Sequence, residues 1–311
     1  MKSNNLCAKM VFDKSNIKNE YLKNALFDKK GLTLSVLRLD KIHPIISGNK
    51  LYKLSYFLQL AENTPYKAVI TFGGAYSNHL VATAYACKLS GLKSIGIVRG
   101  EEAKQLSHTL QYCRQYGMKL KFISRQEYDK KEQAGFQQSL FNELGDALII
   151  PEGGYHPTGA KGAALIMDNI DEDVTYICSA LGTATTVAGL LLGTKVHQQI
   201  VAVPVLKGLQ DIDTRIAFLT NNQPVLGTMT VLQDHHFGGY AKYTAELTAF
   251  MNTIYTQYQL ATDFVYTAKM LFAIYAAAEK DMFPPGSKIV CLHTGGLQGN
   301  ASLPPNTLIF D

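Results

Sequence analysis

Apolar positions along the chain fall into two alternating patterns. Short, nearly uninterrupted apolar runs occur at LSVLRL, KAVITF, KSIGIVRG, KLKFIS, ALII, VTYICS, QQIVAVPVL and KIVCLH. Rich in Val and Ile and largely without polar alternation, they predict parallel strands covered on both faces. Between them, SNHLVATAYACKLSG, EEAKQLSHTLQYCRQYG and TAKMLFAIYAAAEKD place apolar residues at helical spacing, and the first two stop at Gly91 and Gly117. Strands alternating with helices predict an α/β chain built on open, mostly parallel sheets. The turn-rich stretches ENTPYK and PEGGYHPTGAKG are the candidate boundaries. They predict two lobes, a smaller α/β one over 54–154 and a larger, discontinuous one made of 1–53 and 155–311.

With 311 residues, 47% of them hydrophobic, the chain can bury a sizeable core. Its longest apolar stretch, VTYICSALGTATTVAGLLLG, is interrupted by hydroxyls and glycines, and the N-terminal MKSNNLCAKMVF has no apolar signal core. A soluble, cytoplasmic protein is expected. Cys7, Cys87, Cys113, Cys178 and Cys291 are widely spaced and mostly within apolar segments, so they read as reduced core residues, and no metal-ligand spacing is present. The net charge of +5 is scattered along the chain, which argues against nucleic-acid binding.

Glycines mark the functional geography. Gly73 and Gly74, Gly153 and Gly154, Gly182, and Gly295 and Gly296 each follow a predicted strand, where ligands of open α/β sheets bind. The dinucleotide fingerprint is absent after every strand, and GYHPTGAK departs from a Walker loop, so NAD and ATP lose ground. In ALGTATTVAGLL, a strand breaks at Gly182 and a helix resumes near Val187; free amides beside Thr183, Thr185 and Thr186 suit a phosphate, or form a plain threonine-capped turn. In FGGAYSNHL, Ser77 and Asn78 stand at a helix start, where they suit a carboxylate or an ordinary N-cap.

Together these segments resemble the pyridoxal-phosphate enzymes of fold type II, and within them the group of 1-aminocyclopropane-1-carboxylate deaminases and D-cysteine desulfhydrases. SGNKLYKL is similar to that group's G-N-K-x-R-K-L, GGAYSNH to G-G-x-x-S-N-[QH], ALGTATTVAGL to T-G-S-G-G-T-x-A-G-L, DFVYTAKM to D-P-V-Y-[ET]-G-K-[AS]-M, and CLHTGG to H-[TL]-G-G. The resemblance implies pyridoxal 5'-phosphate as cofactor, a small amino acid as substrate and a homodimer. It makes Lys50 the Schiff-base lysine that also moves the α-proton, and Lys53, one turn on, a partner of the cofactor phosphate. It places Asn78 beside the pyridine 3'-oxygen, Ser77 on the substrate carboxylate, and Gly182, Thr183, Ala184, Thr185 and Thr186 around the phosphate. Tyr266 and Tyr240 line the substrate side, and either also serves as a plain wall residue.

Two positions bear on the reaction. The resemblance puts Thr267 and Thr294 where deaminases of the group carry glutamate and leucine. A neutral hydroxyl near the ring nitrogen leaves a shallower electron sink than a carboxylate does, enough to expel a good leaving group from a β-carbon. The expectation is β-elimination to a 2-keto acid and ammonia, D-cysteine desulfhydrase-like. The alternatives are a 1-aminocyclopropane-1-carboxylate deaminase, another fold type II enzyme of β-replacement, and a non-enzymatic scaffold that binds the cofactor or an amino acid. The sequence departs from the group's pattern at Tyr52, Ala184 and Thr185, and at His43-Pro44, where His43 reads as a loop residue.

Overall fold

The computed structural model describes residues 14–66 and 68–310. Its strands are β1 (Asn19–Tyr21), β2 (Thr33–Leu37), β3 (Ala68–Gly73), β4 (Lys93–Arg99), β5 (Lys119–Ile123), β6 (Leu148–Ile150), β7 (Tyr176–Leu181), β8 (Gln199–Pro204), β9 (Thr228–Val231) and β10 (Lys288–Leu292). They form a six-stranded sheet in the order β1-β2-β10-β7-β8-β9 and a four-stranded sheet in the order β5-β4-β3-β6. Every pairing is parallel except that of β1 with β2.

The unbroken apolar runs follow from this layering. In β8, Ile200 and Ala202 enter one buried cluster while Val201 and Val203 enter another on the opposite face. Both faces are dry, so the period-2 polar positions of a half-exposed strand have no place here. β10 divides in the same way, Val290 and Leu292 to one side and Ile289 and Cys291 to the other. Each predicted run contains a strand, whereas β1 and β9 have no counterpart among the runs. Both are edge strands of three and four residues without a buried side chain, so they lack the signal that marks the others.

Helices confirm the glycine stops and correct one start. The Asn78–Ser90 helix ends on Gly91 in the left-handed region. The predicted helix of EEAKQLSHTLQYCRQYG begins only at His108, because the Ser107 side chain accepts from Leu110 N and caps it there, leaving 101–107 outside. The Asn49–Glu62 helix packs on the Pro157–Ala164 and Thr185–Gly193 helices. It spans Asn49 to Glu62 without interruption. Its side chains join Val69 and Ile150 of the smaller sheet and Ile177 and Leu181 of the larger one in a single core cluster. Tyr52 belongs to that core, 1% exposed, with its hydroxyl accepting from Asn169 Nδ2 at 3.0 Å. The departure at Tyr52 is therefore a packing change and not a substrate contact. His43 is a loop residue, its Nδ1 accepting from the amides of Ile45 and Ile46.

Cys87, Cys113, Cys178 and Cys291 are free and buried, and Cys7 lies outside the described residues. No helix among the described residues is long and apolar enough to cross a membrane, and none of their His, Cys, Asp and Glu side chains cluster as a metal site.

Candidate active site

The glycine loops after β3, β6, β7 and β10 converge. A Cβ at Gly153 would stand 2.9 Å from Thr183 Cγ2, one at Gly154 3.4 Å from Lys53 Cβ, and one at Gly296 3.2 Å from Asn78 Nδ2. Lys50 and Lys53, Ser77 and Asn78, the 182–186 loop and Thr294 thus border one cleft. Gly48 sets its geometry. With φ 65° and ψ −146° it precedes the Asn49–Glu62 helix, and a Cβ there would fall 1.8 Å from Thr294 O. Only glycine lets the lysine-bearing helix start this close to the loop after β10.

Lys50 is half-buried at this helix start, and its Nζ donates to Asn49 Oδ1 at 2.6 Å. Asn49 in turn donates through Nδ2 to Thr186 Oγ1 at 2.7 Å, so the lysine helix is tied to the loop after β7. Burial lowers the Lys50 amine to about 8, while Asp263 pulls it back up. The Lys50 ammonium stands 5.9 Å from the centre of the Tyr266 ring. Lys53 is 5% exposed, and burial together with the Lys50 charge holds it well below the ordinary lysine range. Among the described residues no carboxylate lies within ion-pair distance of it.

Ser77 caps the Asn78–Ser90 helix, its Oγ accepting from Leu80 N at 3.3 Å, which leaves the hydroxyl proton free to donate into the cleft. Asn78 Oδ1 is buried without a partner. Behind it His79 is fully enclosed, with Nε2 2.9 Å from Thr71 Oγ1. The Thr71 hydroxyl already donates to Ile150 O, so the His79 proton sits on Nε2. Burial and the two lysines press His79 down to about 3, keeping it neutral.

After β7 the chain turns through Ala184, buried and left-handed at φ 68°, into the Thr185–Gly193 helix. Thr183 Oγ1 and Thr185 Oγ1 lie 3.0 Å apart, and the amides at this helix start have no side-chain cap. Beside Gly182, where a Cβ would stand 3.5 Å from Tyr266 Cε1, the Tyr266 hydroxyl donates to Tyr240 OH at 3.4 Å, and the rings meet edge to face at 6.1 Å. Desolvation raises both phenols, so both stay protonated. Tyr240 is 46% exposed and forms the rim, whereas Thr267 is completely buried with Oγ1 unpartnered.

Three residues that matter here stand inside the quoted motifs but were given no role from the sequence. Asp263 is buried and accepts from the amides of Val265, Tyr266 and Thr267, which fixes the start of the helix bearing both Tyr266 and Thr267. Its place at the head of DFVYTAKM was the only hint. His79 closes GGAYSNH and Lys269 is the lysine of DFVYTAKM, and burial marks both as enclosed.

The residues present fit a phosphate-bearing aromatic cofactor. A buried lysine without a counter-charge, uncapped helix amides around Ala184, and orphaned oxygens on Asn78 and Thr267 are groups left for a ligand to satisfy.

Comparison with known proteins agrees. The family model described as pyridoxal-phosphate dependent enzyme matches residues 23–295. A protein of Pyrococcus abyssi named as a candidate 1-aminocyclopropane-1-carboxylate deaminase is 29% identical over 292 residues, covering 86% of each chain. The bifunctional D-cysteine desulfhydrase/1-aminocyclopropane-1-carboxylate deaminase of Arabidopsis thaliana is 28% identical over 294 residues, 86% of this chain and 73% of that one. A crystal structure titled as an ACC deaminase homologue superposes with a TM-score of 0.74 at 26% identity, covering 92% of this chain and 90% of the other. The chain therefore belongs to the family of pyridoxal-phosphate dependent enzymes, in the fold type II architecture.

Proposed function

We propose that this enzyme removes the β-substituent of a small D-amino acid, in the manner of a D-cysteine desulfhydrase, and releases a 2-keto acid and ammonia. The observation that carries this reading is Thr267. Its hydroxyl is buried and unpartnered at the start of the Thr267–Glu279 helix, where the resemblance puts a glutamate in the deaminases. The carboxylate closest in sequence, Asp263, is turned onto backbone amides. A neutral hydroxyl suits loss of a good leaving group better than opening of a strained ring. The Arabidopsis relative is named for both activities, so this fold accommodates either.

Bound pyridoxal phosphate supplies the electron sink for the pair left when the Cα–H bond breaks. Lys53 and the 182–186 amides hold its phosphate, Asn78 its 3'-oxygen, and Thr267 and Thr294 its ring edge. Lys50 is the covalent anchor and moves the α-proton. With burial lowering its amine to about 8, Lys50 carries a far larger free-base share near neutral pH than an ordinary lysine. Ser77 and the first amides of the Asn78–Ser90 helix bind the substrate carboxylate. Tyr266 and Tyr240 close the substrate side and exclude water.

We further infer a homodimer and a cytoplasmic location, the latter supported by the free, buried cysteines. We also infer two units, a smaller one over 54–154 and a larger one of 1–53 and 155–311, a reading that the separation of the strands into two sheets supports.

The test is reconstitution with pyridoxal phosphate, borohydride trapping, and keto-acid release from D-cysteine, L-cysteine, L-serine and 1-aminocyclopropane-1-carboxylate. The cofactor should be trapped on Lys50 and D-cysteine should be the best substrate. A chain that forms no reducible chromophore is not this enzyme, and activity confined to L-amino acids or to the cyclopropane overturns the D-specific reading.

A further inference from the structure

Lys269 is completely buried in the Thr267–Glu279 helix. Its Nζ donates to the carbonyls of His236 and Gly239, each at 2.8 Å. No carboxylate among the described residues lies within ion-pair distance of it, and Asp263 acts on it only through space. A methionine would fill this place without the penalty of an enclosed amine, so the two carbonyl bonds are what the lysine adds.

Those carbonyls flank a strained turn. Phe237 at φ 50° and Ala241 at 52° are left-handed without being glycine, Gly238 and Gly239 lie between them at 91° and 115°, and the turn's own bonds, Gly239 N to His236 O and Lys242 N to Gly239 O, end on the two carbonyls that Lys269 also binds. Lys269 adds a charged donor to both carbonyls and ties this turn to the Thr267–Glu279 helix. The residue the turn delivers is Tyr240, whose hydroxyl meets that of Tyr266 at 3.4 Å. Tyr266 and Lys269 are three residues apart and share one face at the start of their helix. One short stretch of helix thus carries one tyrosine and fixes the position of the other.

We propose that Lys269 is a positioning residue that clamps the 236–241 turn, holding Tyr240 against Tyr266 and so shaping the substrate side of the cleft. This rests on the reading of the two tyrosines as the substrate-side wall. Lys269 touches neither the lysine anchor nor the phosphate loop, so its loss acts on substrate fit and spares cofactor loading.

The test compares wild type, Lys269→Met, Lys269→Arg and Tyr240→Phe as holoenzymes, by backbone hydrogen exchange, by trapped cofactor per chain, and by kcat and KM for D-cysteine. In Lys269→Met, which loses both charge-assisted bonds, exchange over 236–241 should speed up and KM should rise by about tenfold or more, with cofactor loading unchanged. Lys269→Arg, which keeps donors for both carbonyls, should recover most of the exchange protection and KM. Should Lys269→Met fail to fold, Lys269→Gln gives the same two readings. Unchanged exchange over 236–241 overturns the clamp, and faster exchange with unaltered KM overturns the positioning role. A wild type that loads no cofactor overturns the proposed function instead, a result that exchange over the turn does not depend on.

Discussion

At Lys50 two effects oppose each other, burial lowering the amine to about 8 and Asp263 raising it. An amine whose folded value lies below its unfolded one binds fewer protons folded than unfolded between the two values, so stability rises with pH across roughly 8 to 10.5. The cofactor-free Lys50→Met variant should therefore be more stable than wild type at pH 7.5, and the gap should shrink by pH 9.5. Chemical unfolding at the two pH values checks this, and a gap that widens contradicts the environment assigned to Lys50. Lys53 is predicted to act on affinity: Lys53→Met should weaken pyridoxal-phosphate binding by tenfold or more, the worth of a charge-assisted bond to phosphate, in a direct titration. The legible residues were those embedded in spaced motifs, Lys50, Ser77, Asn78 and the 182–186 loop among them. Lys269 stands on the lysine of DFVYTAKM, but nothing local in the sequence records that it is enclosed and bonded to the 236–241 turn. Tyr52 interrupts a motif and so drew attention to the cleft, although its side chain belongs to the core.

Asp263 and Gly48 set the two helix starts that frame the cleft. Replacing Asp263 with alanine would orphan the amides of Val265, Tyr266 and Thr267 in a buried place. That should destabilise the cofactor-free chain by about 3 kcal/mol or more, read from urea unfolding, with Asp263→Asn losing less because it keeps one acceptor. A loss under about 1 kcal/mol would show that water takes over the capping. Continuous apolar runs made the buried strands readable, since residues that face helices on both sides leave no polar position to confuse the period. The late start of the helix at His108 was less legible: EEAKQL has good helix formers, and it is the Ser107 cap that decides.

Across the whole molecule the two mostly parallel sheets, bridged by a core that takes side chains from both, bring loops from distant parts of the chain to one cleft. That convergence was foreseeable from glycines placed after strands, because open α/β sheets gather ligands at strand carboxyl ends. Which side chains oppose across the cleft was not, since that depends on how the two sheets are set against each other. The homodimer inferred for the enzyme predicts a solution mass twice that of the chain by light scattering, and a monomer at micromolar concentration would contradict it. The central claim is the reaction itself, and it is tested most directly by measuring pyruvate and sulfide release from D-cysteine by the reconstituted enzyme beside 2-oxobutanoate release from 1-aminocyclopropane-1-carboxylate. Release from D-cysteine exceeding that from the cyclopropane, and lost in Lys50→Ala, is the predicted result; release from the cyclopropane alone, or D-cysteine turnover that survives in Lys50→Ala, would contradict it.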